Sequence, residues 1–130
     1  MEDLATRVRV MLVEDQADFR HLMTILLGRQ PDLELVAQAE SLAEARMHAT
    51  TAKIDVAVLD LGLPDGTGTD LIADLRGTNP DTAVLVLSAS LNPGSLAKAS
   101  EAGADEILDK FADLEEVVET IRRLGDCRTP

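Results

Sequence analysis

The chain has 130 residues, 45% of them hydrophobic and 28% charged, which suits one globular domain with a core of its own. Aromatics make up 2%, with no Trp or Tyr, so the core must come from Val, Leu, Ile and Ala, and little is available to stack on nucleobases. A formal net charge of −12 opposes binding to phosphate backbones, and no apolar run approaches the length of a membrane span.

Val8 to Val13 reads as a buried strand ending on Glu14-Asp15. Asp18 is the expected cap of a helix whose apolar positions, Phe19, Leu22, Met23, Leu26 and Leu27, follow helical spacing. Gly28 and Pro31 help to end it. Leu33 to Ala39 alternates, as expected nearer a sheet edge, and Ser41 with Glu44 forms a capping box ahead of Leu42, Ala45 and Ala49. Val56-Ala57-Val58-Leu59 is an unbroken apolar run of the kind that lies buried on both faces of a parallel sheet. It leads into Asp60 and the turn Leu61 to Gly68.

The next helix starts around Thr67 to Asp70, buries Leu71, Ile72 and Leu75, and stops before Pro80. Ala83 to Leu87 is a fourth strand, closing on Ser88-Ala89-Ser90. Asn92-Pro93 caps a helix rich in Ala and Ser, with Leu96 its one large apolar residue, so it is expected to be the least firmly packed. Gly103 ends it, and Glu106 to Asp109 is a short fifth strand before Lys110. Asp113 and Glu116 open a last helix that buries Leu114, Val117, Val118, Ile121 and Leu124, with Arg122 and Arg123 expected in its final turn. Residues 1–124 are therefore one domain and 125–130 a tail or linker stub. Five βα units in succession predict an α/β, doubly wound, three-layer sandwich on a parallel sheet.

Ligands bind such sheets at the carboxyl edge. Four of the five predicted strands end there in complementary chemistry: Glu14-Asp15, Asp60, Ser88 and Lys110. Clustered carboxylates raise each other's pKa values, so the set makes sense around a cation. Oxygen donors with room for phosphate oxygens favour Mg²⁺. There is no Cys/His cluster for zinc; His21 and His48 fall on helices and read as ordinary surface imidazoles. Asp60 can attack phosphorus, with Lys110 and the ion neutralising phosphoryl charge and Ser88 donating a hydrogen bond. No Gly-x-x-x-x-Gly-Lys loop is present to cradle a nucleotide.

This combination resembles bacterial response-regulator receiver domains over about Val8 to Leu124: Glu14-Asp15, Asp60 followed by Pro64 and Gly68, Ser88-Ala89, and Gly103-Ala104 leading to Lys110. Within the family it is most similar to receivers joined to helix-turn-helix output domains. The resemblance implies a flavodoxin-like fold with strand order 2-1-3-4-5. It implies that Asp60 is the phosphoacceptor in a two-component system that controls transcription. Asp15 corresponds to a direct metal ligand, Glu14 to its neighbour acting through water, and Gly62 to a ligand through its carbonyl. Ser88 and Lys110 meet the phosphoryl group, and Ala89 leaves the site open. Gly62 and Ser90 stand where side chains influence attack by water. The phosphodonor would be a sensor histidine kinase or phosphotransfer protein.

Such a chain assists its own phosphoryl transfer and dephosphorylation and is not a separate enzyme. Two positions depart from the family. Ile107 replaces the usual Tyr or Phe of the switch, and Phe111 replaces the proline after the lysine, leaving Lys110–Phe111 either trans or strained.

The expected output surface is the fourth helix, fifth strand and fifth helix, with Glu101, Asp105, Glu106, Asp109, Glu115, Glu116 and Glu119. It suits a basic partner or a homodimer through Arg122 and Arg123. One alternative is a receiver-like scaffold or dimerisation module that does not switch by phosphorylation; a Mg²⁺-dependent phosphohydrolase is a third reading, for which the short loops supply no lid. The acidic N-terminus lacks the pattern of a secretion signal, and Cys127, alone, cannot form an internal disulfide. A cytoplasmic location is the resulting expectation.

Overall fold

The computed structural model describes residues 7–89 and 92–128. Five strands, β1 (Val8–Val13), β2 (Leu33–Ala39), β3 (Val56–Leu59), β4 (Ala83–Ser88) and β5 (Glu106–Asp109), alternate with five helices. The helices are α1 (Ala17–Gly28), α2 (Leu42–Thr51), α3 (Gly68–Thr78), α4 (Pro93–Ala102) and α5 (Leu114–Arg128). All strand pairs in the main sheet are parallel, and their order is 2-1-3-4-5. This is the doubly wound, flavodoxin-like arrangement expected from the βα alternation.

Alternate residues of each strand feed two cores. Met11, Val13, Ala57, Leu59, Val84 and Val86 meet Ala45 of α2, Leu71, Ile72 and Leu75 of α3, and Ala99 of α4. Val10, Leu12, Val56, Val58, Leu85 and Leu87 meet Met23 and Leu27 of α1 and Val117, Val118, Ile121 and Leu124 of α5. Branched aliphatic side chains fill both layers without aromatic help, each fully buried one contributing on the order of 1.5–3 kcal/mol. As expected, α4 is the most lightly seated helix: Ala99 is its one buried residue.

Several local expectations change. The N-cap of α1 is Gln16, which makes no side-chain capping bond, and Asp18 lies inside the first turn. Leu22 is 46% exposed, because the stripe that α1 buries is centred on Met23 and Leu27. The Ser41 hydroxyl accepts the Glu44 N–H, but the Glu44 carboxylate turns back to the Glu40 N–H, so that box is only half closed. A full capping box forms instead between Thr67 and Asp70 at α3. The turn after Asp60 contains a small antiparallel hairpin, Gly62–Leu63 against Gly66–Thr67. Its Asp65 carboxylate accepts the Leu42 and Ala43 N–H groups at the start of α2, at 2.7 and 3.1 Å, which pulls its pKa below the ordinary range. The helix α5 does not stop at Leu124 but continues to Arg128, and Gly125 lets it pack directly on Val8.

That longer helix places Arg122 and Arg123 in its interior, away from the final turn. Arg122 instead forks onto Asp32 at 2.7 and 3.2 Å, tying α5 to the α1–β2 connection, while Arg123 pairs with Glu106 at 2.9 Å. The Arg122 hydrogen bond lowers the Asp32 pKa, so the pair stabilises the fold above the unfolded aspartate pKa and is lost as pH falls through the folded one. Both groups are partly solvated, which limits the effect to about 1 kcal/mol or less. Arg122→Ala is expected to lower the urea midpoint at neutral pH, with the difference from wild type shrinking as pH falls through the lowered Asp32 pKa.

Candidate functional site

The register of four strands builds the site. Val13 pairs with Leu59, so Glu14 and Asp60 leave the sheet as neighbours, with the Asp60 N–H on the Val13 carbonyl at 3.1 Å. Ser88 pairs with Asp109, and the Lys110 N–H then reaches the Ser88 carbonyl at 2.9 Å. Lys110, with only 3% of its side chain exposed, sets its ammonium 2.8 Å from Glu14 Oε1 and 3.2 Å from Asp60 Oδ2. Asp60 Oδ1 accepts the Gly62 N–H at 3.4 Å.

Burial pushes the Glu14 carboxyl above its ordinary pKa, and the Asp60 charge adds to this, outweighing the hydrogen bonds from Lys110 and the Gln16 N–H. Burial works against the Lys110 charge, but the hydrogen bond to Glu14 and the charges of Asp60 and Glu14 together raise its pKa. The ammonium is therefore held protonated.

Glu14, Asp15 and Asp60 each offer a carboxylate oxygen, all within 4.8 Å of one another. This all-oxygen donor set, partly open to water through exposed Asp15, fits a hard divalent ion. Both Glu14 oxygens already have partners, Lys110 and the Gln16 N–H, and the Asp60 oxygens meet Lys110 and, more weakly, the Gly62 N–H, so exposed Asp15 is the freest of the three acids. On the other side of Asp60 a cleft of about 710 Å³ opens, lined among others by Gly62, Thr69, Ser88, Ala89 and Lys98. Ser88 is 5% exposed at its floor. The expected residues Glu14, Asp15, Asp60, Gly62, Ser88, Ala89 and Lys110 thus gather at one edge; Ser90 lies outside the described residues.

The family model described as "Response regulator receiver domain" matches residues 10–122. The chain belongs to the response regulator receiver family. It is 36% identical over 122 residues to the DNA-binding transcriptional activator DevR/DosR of Mycobacterium tuberculosis, covering 94% of this chain and 56% of that protein. It is 44% identical over 102 residues to the KDP operon transcriptional regulatory protein KdpE of Escherichia coli, covering 78% of this chain and 44% of that protein. The chain spans about half the length of the curated relatives it matches. Among solved structures, the signal receiver domain of the putative response regulator NarL from Mycobacterium tuberculosis superposes with a TM-score of 0.87 at 28% identity, covering 92% of this chain and 97% of that one. A LuxR-family two-component response regulator from Aurantimonas sp. SI85-9A1 has the same TM-score at 29% identity, covering 94% of this chain and 87% of that one.

Within this receiver the two departures from the family pattern have definite structures. Ile107, opposite Val86, is half-buried against the α2–α4 core. The Lys110–Phe111 peptide is trans, and Phe111 is 79% exposed. Three contributors escaped the sequence reading. Gln16 accepts the Lys110 ammonium at 2.5 Å, the Phe19 ring lies 4.8 Å from it, and the Arg20 guanidinium holds the Glu14 carbonyl at 2.8 Å. For Gln16 the one available signal was its place two residues after Glu14, where the strand end turns into α1. Gly68 was read as a turn residue and as part of the family pattern, without its close approach to Asp60. A Cβ there would stand 2.5 Å from the Asp60 carbonyl, so only glycine lets α3 begin this close to the site.

Two outcomes are expected. Gly68→Ala should lower stability by roughly 1–3 kcal/mol, read as a reduced urea midpoint at unchanged slope. Millimolar Mg²⁺ should raise the melting temperature of the wild type by mass action, whereas Asp15→Asn should lose that response.

Proposed function

We propose that the chain accepts a phosphoryl group on Asp60, with Mg²⁺ bound, from a sensor histidine kinase or phosphotransfer protein, and that the modified domain changes which protein surface it offers. The observation that carries this is the meeting of Asp60 with Lys110, Glu14 and Asp15 beside an open cleft. A phosphoryl acceptor needs one accessible carboxylate oxygen, a fixed cation and a metal-binding acid pair at the same point. Asp15 and Asp60 would hold the ion, with Glu14 acting through water and Gly62 through its carbonyl. Bound there, Mg²⁺ supplies charge neutralisation for phosphoryl oxygens.

Lys110 is already oriented by Gln16, Glu14 and Phe19, so it needs no rearrangement to meet developing charge near Asp60. Ser88 is the hydroxyl that would turn to the new phosphoryl oxygen, and Ala89 keeps the approach open. In this reading the chain is not a separate enzyme, works in the cytoplasm and binds no nucleic acid itself; no helix among the described residues is long and apolar enough to cross a membrane. The receiver unit takes in all of α5. The similarity to transcriptional regulators supports transcription control as the output.

The α4–β5–α5 face is the proposed output and dimerisation surface. Of the two arginines expected to serve it, Arg122 reaches back to Asp32 while also pairing with Glu119, and Arg123 pairs with Glu106. A second reading, a scaffold that does not switch by phosphorylation, is favoured by one observation: Ile107 packs as a core side chain with no ring to rotate.

Acetyl phosphate with Mg²⁺ should add one phosphoryl group to the wild type, seen by intact-protein mass spectrometry, and none to Asp60→Asn. Beryllofluoride should shift amide resonances in α4 and β5 of the wild type only. Wild-type spectra as inert as those of Asp60→Asn would favour the scaffold.

A further inference from the structure

Lys98 is the one basic side chain lining the cleft beside Asp60, and the site chemistry described above makes no use of it. It lies on α4 one turn beyond Ser95, and residues three apart share a helix face, so both look into the same opening. Its side chain is exposed and has no hydrogen bond or ion pair among the described residues. The other lysine at the site is fully engaged: Lys110 is buried, bonded to Glu14, Gln16 and Asp60, and lines a different cavity with Phe19 and Phe111.

The two cations therefore differ in kind. Lys110 holds Asp60 Oδ2 from the interior side. Lys98 stands at the rim through which a small molecule would arrive, on a flexible four-carbon stem. The same cleft carries the Asp60 and Asp70 carboxylates, so an anionic donor enters against negative charge and gains most from a mobile ammonium at the entrance.

Given the reading of Asp60 as phosphoacceptor, we infer that Lys98 is a specificity residue for small anionic phosphodonors, engaging the non-bridging phosphoryl oxygens of an acyl phosphate in the cleft. In the step it serves, an Asp60 carboxylate oxygen forms a bond to phosphorus. The bond from phosphorus to the donor's bridging oxygen breaks, and the donor leaves as a carboxylate; no proton or further reactant is required. Because a protein donor brings its own contacts, Lys98 tunes the response to free acyl phosphates in particular.

Initial rates of phosphorylation by acetyl phosphate with Mg²⁺ test this in wild type, Lys98→Ala, Lys98→Arg and Lys98→Glu, read by mass spectrometry. The half-saturating donor concentration should rise roughly three- to tenfold in Lys98→Ala and further in Lys98→Glu, with the limiting rate little changed and Lys98→Arg close to wild type. As an independent readout, titration with inorganic phosphate should shift the Ser95 and Lys98 amide resonances saturably in wild type and not in Lys98→Ala. Identical donor dependence in wild type and Lys98→Glu overturns the assignment of Lys98 and leaves that of Asp60 intact. A wild type that acetyl phosphate does not modify, or an Asp60→Asn modified equally well, overturns both.

Discussion

The ammonium of Lys110 set between Glu14 and Asp60 is the contact on which the carboxyl edge depends. Two carboxylates arrive there on adjacent strands, because the Val13–Leu59 pairing allows no other register once the two apolar faces are buried. Glu14 is 2% exposed and Lys110 3%, so neither charge has much water to fall back on. Removing one partner of such a contact leaves an uncompensated charge, typically worth about 3–5 kcal/mol. One amine cannot balance Glu14, Asp15 and Asp60 together. The residual negative charge marks the place a divalent cation would take and, in the proposed reading of Asp60, is the reason a phosphoryl group would need one there.

Around that fixed centre the helices are fastened unequally. The α1 and α5 side is seated by Met23, Leu27, Val117, Val118 and Ile121, and is tied further by Arg122 to Asp32. On the opposite side, α4 buries only Ala99. The Asn92 side chain caps the Gly94 and Ser95 N–H groups within the helix's own first turn, while Gly103, in the left-handed region at φ 118°, closes its C-terminus beneath Arg76. Arg76 bonds the Gly103 carbonyl and Asp105, pinning that end. An element tied at one end and lightly packed along its length has a low cost of local displacement. With Ile107 unable to rotate a ring, α4 is the part of this fold best placed to register a change at Ser88.

What the sequence disclosed and what it hid divide along physical lines. All five strands were legible as apolar or alternating segments bounded by turn residues, and each candidate site residue at a strand end followed from where its segment stopped. The capped start of α4 was legible because Asn92 and Pro93 act within their own turn. Apart from the local caps of α1 and α2, the missed details depend on distant partners. Leu22 satisfies helical spacing, yet the sheet covers only the Met23–Leu27 stripe. Arg122 and Arg123 suited a helix terminus until α5 proved to run on over Val8. Asp65 gave no sign that it would cap α2, since the acceptor and the N–H groups it serves are more than twenty residues apart. Gln16 and Phe19 meet Lys110 only after the whole sheet is assembled, which no local pattern encodes.

The surplus acid of the chain also shapes whom the site can receive. Most of its described arginines are already committed: Arg9 to Asp55, Arg20 to Glu40, Arg46 to Asp74, Arg76 to Asp105, Arg122 to Asp32 and Arg123 to Glu106. Little positive charge is left to soften a field set by 24 acidic residues against 12 basic ones. Such a field slows small anions and speeds partners that present basic surface, an effect on encounter rate more than on the bound state. If Asp60 is the phosphoacceptor proposed above, a protein donor with complementary charge is favoured at the approach, whereas a free phosphodonor depends on whatever local cation faces the cleft. In that reading, charge at the rim sets the balance between the two routes without altering the chemistry at Asp60.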